Sequence, residues 1–249
     1  MLRNLLIVSS SGIVLFAKDF TSALSQPRLL GGLITAMLKA SVIRTGYPVS
    51  LIEFDNVAVA IQSDSKCKVS CSLFYDKEDG PAFGRLLALE ILQAFVQQYS
   101  SQLVQISANL KDFSGFNHKI SDAIRSAIRP ALDALTGVRG VQTALLVSGD
   151  TMLCATQDVD KVGVVANLEA LFGIASDIMS WQRDLPMYMS LHSQSVRIVV
   201  LPIGRATLVV ACKPAVDARK TDAEINRSAL LVQKILLMNS NLQESWSFL

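Results

Sequence analysis

The stretch LLIVSSSGIVLFA at residues 5–17 joins two short apolar runs through three serines and a glycine, and ALLVSGDTMLCA at 144–155 repeats the device with a turn one residue shorter. Serine side chains compete for backbone hydrogen bonds and glycine accepts a positive φ, so each interruption predicts a hairpin turn between two strands. A chain that builds the same hairpin twice is constrained towards two sheets. Its 249 residues suit two domains of the usual ~100–150 residues each.

The elements around the hairpins follow the same order in both halves. After strands at 3–8 and 13–18, Leu29, Leu30, Leu33, Ile34, Met37 and Leu38 recur at spacings of three and four, which predicts a helix of about four turns. Strands are predicted at 49–54, 57–62 and 68–75, and Asp79-Gly80-Pro81 then opens a long helix. In the second half a helix over 120–135, bent or restarted at Pro130, precedes the hairpin at 141–147 and 151–156. A helix over 161–181, strands at 187–192, 195–201 and 206–212, and a last helix over 222–238 complete it, with Thr221 and Glu224 spaced as a capping box. The expected fold class is therefore α/β, with domains at 1–125 and 126–249, each an antiparallel sheet of five strands or nearly so. Such a sheet cannot bury its apolar surface alone, and two helices laid on one face would cover it. Gly31-Gly32 costs helix propensity and predicts a close approach, to the sheet or to a partner.

Composition narrows the role. Hydrophobic residues make up 51% of the chain and charged ones 18%, where an ordinary domain carries roughly 25% charged residues. Yet the most apolar stretches, 30–43 and 194–212, are broken by glycine, proline, lysine or arginine before they reach the length of a membrane span. The surplus is expected between elements or against partner proteins. A net charge of +2 with dispersed basic residues supplies no field for nucleic acid. The start, MLRNLLIV, has too short an apolar run before its serines to be an export signal, and reads as a first strand. Cys67, Cys71, Cys154 and Cys212 form no CxxC pair and read as reduced, packed thiols of a cytoplasmic protein.

Candidate chemistry is sparse. His118 and His192 have no second ligand at helical or hairpin spacing, so no metal site is expected. Their nearness to Ser114, and to Ser190 and Ser193, would become nucleophilic chemistry only with an acid to orient the ring. The nucleophile elbow, the dinucleotide-binding turn and the phosphate loop are all missing, so no catalytic or cofactor-binding residue is assigned. Asp158 and Asp160 read as loop and helix-start residues. What remains is surface. Leu29, Leu33 and Met37 on the first helix and Leu168, Leu171 and Phe172 on its counterpart are candidate interface positions. Trp181 and Tyr188, with Met187 and Met189, and the tail residues Trp246 and Phe248, are either core closures or interface anchors.

On this order of elements, residues 1 to about 125 resemble a longin domain, carried by LLIVSSSGIVLFAKDF, the helix after Pro27, the strands through Tyr75 and the helix after Pro81. Residues from about 120 to 240 resemble the related roadblock domain, carried by ALLVSGDTMLCATQ and the helices after Lys161 and Thr221. The resemblance implies a non-enzymatic platform in membrane traffic and small-GTPase control, which pairs with other longin or roadblock proteins in a hetero-oligomer. It also implies recruitment to endomembranes through those partners. If such a platform promotes nucleotide exchange, it acts by favouring the nucleotide-free GTPase over its bound forms. A coat or adaptor subunit that touches no GTPase, and an enzyme with an unrecognised site, are the competing classes.

Overall fold

The run LLIV at 5–8 becomes the centre of a strand whose four side chains are all buried, which requires cover on both sides of the sheet. The computed structural model describes the chain apart from residues 22–25, 105–109, 158–160, 180–187, 215–216 and 247–249. It describes the backbone but not the side chains at 104, 110–112, 161–162, 165 and 240–246. Two compact units result, one of Met1–Ala127 with Met238–Leu249 and one of Ile128–Leu237. The break falls two residues beyond the expected one, and the end of the last helix groups with the first unit.

In the first unit β1 (Leu2–Ser9), β2 (Val14–Asp19), β3 (Leu51–Glu53), β4 (Val57–Asp64) and β5 (Val69–Asp76) form one antiparallel sheet in the order β2-β1-β5-β4-β3. The register sets Leu5 opposite Leu73 and Leu6 opposite Ser72, so alternate residues serve opposite faces. α1 (Pro27–Thr45) seats Ile34 on the face made by Leu6, Val8, Val14, Val59 and Ile61. α2 (Pro81–Val104) lies on the other face against β4 and β5, where Tyr75 meets Phe83 edge to face. The helices thus take opposite faces rather than one, because unbroken apolar runs such as LLIV leave no face fit for water. Phe16, Phe95, Tyr99, Phe113 and Phe116 fill the end of the α2 side with ring centroids 5.0–6.4 Å apart.

Two glycines let the helices come this close. A Cβ on Gly31 would stand 2.5 Å from Val14, and one on Gly84 would stand 2.1 Å from the ring of Tyr75. Gly32, the neighbour of Gly31, faces open space, so one glycine of the pair serves the sheet and the other lies on the outer surface. The predicted helix over 120–135 is divided into α3 (Ile120–Ser126) and α4 (Ile128–Thr136). The break precedes Pro130 because its ring would strike the carbonyl of Ser126 and has no N–H to bond it.

The second unit repeats the plan. β6 (Val141–Ser148), β7 (Thr151–Ala155), β8 (Met189–His192), β9 (Arg197–Ile203) and β10 (Ala206–Cys212) pair antiparallel in the order β7-β6-β10-β9-β8, which is the first order renumbered. α5 (Lys161–Met179) covers Leu145, Val147, Val200 and Val209 with Leu168. On the opposite face Arg197 is tied to Asp222 of α6 (Ala218–Trp246). α6 begins before the expected capping box: the Asp217 carboxylate accepts from the Arg219 N–H at 3.2 Å, while Thr221 donates back to the Asp217 carbonyl at 3.1 Å.

The adjacent glycines make a paired test. Gly31→Ala is expected to lose about 1–3 kcal/mol through overpacking against Val14, whereas Gly32→Ala gains up to about 1 kcal/mol from helix propensity. Urea unfolding of both variants reads the difference, and equal effects would contradict the placement of α1.

Candidate interaction surfaces

Helical phase decides which side chains α1 offers outward. With Gly31, Ile34 and Thr35 buried on the sheet, residues half a turn away point to solvent. Leu29 is 70% exposed, Leu33 57% and Met37 38%, so the three candidate positions on this helix share one outer face. The second unit differs. Leu168 is buried in the core, and Phe172 packs against the same cluster with Leu171 half-buried beside it. The outward apolar residues of α5 are instead Ile174 and Ile178, 59% and 65% exposed. Their four-residue spacing was visible in the sequence, but the phase of the helix against its sheet was not.

Sheet edges form the second kind of surface. β2 and β3 border the first sheet, and β7 and β8 the second. Edge strands carry backbone groups that template pairing, and short ones limit that hazard. β3 has three residues and β8 four.

β8 is held by a polar network built around one buried cation. Arg197 sits in an otherwise apolar strand, and one of its terminal nitrogens donates to both Asp222 oxygens, at 2.7 and 2.9 Å. The same nitrogen donates to the Tyr188 hydroxyl at 2.5 Å, and Nε donates to Ser190 Oγ at 3.0 Å. The carboxylate bond outweighs burial and raises the Arg197 pKa. Tyr188 is thus anchored to its own unit while remaining 41% exposed. Trp181 and Met187, expected beside it, lie outside the described residues, as do Phe248 and the side chain of Trp246. So do Asp158 and Asp160.

The network also brings together a pair that sequence proximity only suggested. Ser190 Oγ lies 2.9 Å from His192 Nε2 on the exposed edge strand. The carboxylate of this network, Asp222, is committed to Arg197 and does not orient the imidazole. Among the described residues no group of three or more His, Cys, Asp or Glu side chains could hold a metal ion, and no helix is long and apolar enough to cross a membrane.

Two open cavities lie elsewhere. One of about 630 Å³ in the second unit is lined by Arg139, Lys220, Asp217 and Glu224, charges of both signs that give it no single field. The other, about 280 Å³, lies in the first unit between the Ser9–Ser11 turn and Lys68, whose φ is +54°. All four thiols are shifted towards the protonated form, Cys71 most strongly through complete burial.

No family model matches the chain, and no curated protein does. Among solved structures it is similar to MglB of Myxococcus xanthus, at 14% identity over 46% of this chain and 91% of that one, with a TM-score of 0.43. It is also similar to the gliding protein MglB of Thermus thermophilus, at 12% identity over 45% and 90%, with a TM-score of 0.42. A Roadblock/LC7 domain from Streptomyces avermitilis gives 16% identity over 43% and 95%, with a TM-score of 0.39.

Removing one partner of the Arg197 pair has unequal consequences. Asp222→Ala strands a buried guanidinium and is expected to cost about 2 kcal/mol, reduced from the value for a fully buried pair because Asp222 is partly exposed. Arg197→Met leaves a carboxylate that water can reach and costs about half as much. Thermal unfolding of both variants checks the order. For the thiols, a raised pKa means less thiolate at any given pH. Alkylation at pH 7 should therefore be slow at Cys67 and Cys154 and rise as pH passes above 9.0. Cys71 and Cys212 should react only on unfolding, as peptide mass mapping would show.

Proposed function

We propose that the chain is a non-enzymatic scaffold or adaptor subunit of a membrane-trafficking complex that engages a small GTPase. Its longin-like half spans 1–125 and its roadblock-like half 126–249. The observation that carries this reading is the repetition of one strand order in two sheets, each bearing a helix with an apolar outer face. Such a unit has its core complete and still offers surface of the kind that interfaces bury. Leu29, Leu33 and Met37 are the assembly positions on α1. Leu171 lies at the margin of the corresponding face on α5, while Leu168 and Phe172 serve that face from beneath as core. The partners are other longin or roadblock proteins, and a composite of their sheets binds the GTPase. Exchange would follow from tighter binding of the nucleotide-free state, which needs no acid or base from this chain. Recruitment from the cytoplasm to an endomembrane comes through the partners.

Affinity purification of the full chain from its native cell, with cross-linking, tests this. Stoichiometric longin or roadblock partners and a cross-linked small GTPase are expected, and the purified assembly should speed release of a fluorescent GDP analogue. Leu33→Glu should lose assembly with its thermal transition unchanged, since the side chain lies outside the core. Recovery of a partner-free monomer would overturn the proposal, and cross-links to coat subunits alone would replace it with the GTPase-independent role.

A further inference from the structure

The outer face of α1 carries a heptad seam. Leu29, Leu33, Ala36, Ala40 and Ile43 follow one another at steps of four, three, four and three, the spacing of a helix that packs lengthwise on a second helix. All five are exposed, Ile43 at 82%. On a straight helix such a repeat drifts by only about 20° per heptad, so the five residues hold one side of α1 throughout. That side lies away from Gly31, Ile34 and Thr35, which are buried on the sheet. The seam is large at both ends and small at Ala36 and Ala40, which leaves room for bulky side chains of an opposing helix to enter between its turns.

The seam is flanked by one sign of charge. Lys39 precedes Ala40 on one flank, and Arg44, one turn past Ala40, stands on the other. Both are exposed, Arg28 is a third exposed cation farther round the helix, and α1 holds no aspartate or glutamate. In helix pairs these flanking positions choose the partner. A second α1 is a poor choice: parallel pairing sets Lys39 beside the other copy's Arg44, and antiparallel pairing about Ala36 and Ala40 brings the two Lys39 flanks together. Like charges across an interface suppress association.

We propose that α1 receives one helix of a partner protein, laid along this seam, whose own apolar seam is flanked by aspartate or glutamate. The inference rests on the reading of α1 as an assembly face and gives the chemistry of what covers it. The period of the seam calls for a helix, and the cations on its flanks call for acids.

Two synthetic helical peptides of about three heptads test the pairing on the full chain by fluorescence anisotropy, both with leucine at the seam, one with glutamate and one with lysine on the flanks. The glutamate peptide should bind wild type and the lysine peptide should not. Lys39→Glu/Arg44→Glu should weaken the glutamate peptide about tenfold or more and admit the lysine peptide. Both residues are exposed, so the thermal transition should stay unchanged. Failure of both peptides to bind, equal binding of the two, or a charge reversal without effect overturns the proposal. So does capture of wild type, but not of the reversed variant, by phosphatidylserine vesicles without peptide binding, which would assign the face to a membrane. In the assembly purified from the native cell, carbodiimide should couple Lys39 to a carboxylate on a partner helix. An assembly that forms with Lys39 uncoupled overturns this pairing and leaves the proposed function standing, whereas coupling without any GTPase contact does the reverse.

Discussion

The demand that both faces of each sheet be kept from water organises this protein. Leu5, Leu6, Ile7 and Val8 are consecutive and all buried, and Ala144, Leu145, Leu146 and Val147 repeat the pattern in β6. Successive strand residues point to opposite faces, so neither sheet has a side it can leave wet. Each such valine, leucine or isoleucine side chain contributes roughly 1.5–3 kcal/mol on burial. That contribution is realised only with a helix on either side. α1 and α5 arise from this requirement on one face, α2 and α6 on the other, and the small residue at Gly31 follows from how closely α1 must lie on Val14 and Val8.

The same layering explains why so much apolar surface is left over. A helix that covers a sheet spends one face on it, and an otherwise polar outer face would end the matter. Here α1 turns Leu29, Leu33 and Met37 outward, and α5 turns out Ile174 and Ile178. The apolar surplus seen in composition therefore lies on the outermost layer as well as in the cores. The interfaces proposed above use these layers, while the sheets beneath remain complete in each unit.

Polar interactions act at the margins of this arrangement. Arg197 is buried in a strand that otherwise reads as core, and its bonds to Asp222, Tyr188 and Ser190 tie the edge strand β8 to α6. A lone arginine in SVRIVVL was a legible sign of such a pair, and an aspartate near the start of the last helix its natural partner. The pairing itself was not foreseen because it joins positions 25 residues apart on different elements. The Thr221 capping box failed for a related reason: Asp217 offers a carboxylate one turn earlier and starts the helix there.

Sequence alone determined the element order, the two hairpins and their repetition, because serine-glycine turns and apolar periods of two and 3.6 are local properties of the chain. It also placed Leu29, Leu33 and Met37 on one helical stripe, since their spacing requires it. Only tertiary structure decided that this stripe faces solvent while Leu168 of the corresponding helix faces the core. An amphipathic period fixes which residues share a face, and the rotation of the helix on its sheet, set by close approaches such as Gly31 to Val14, fixes which face is buried.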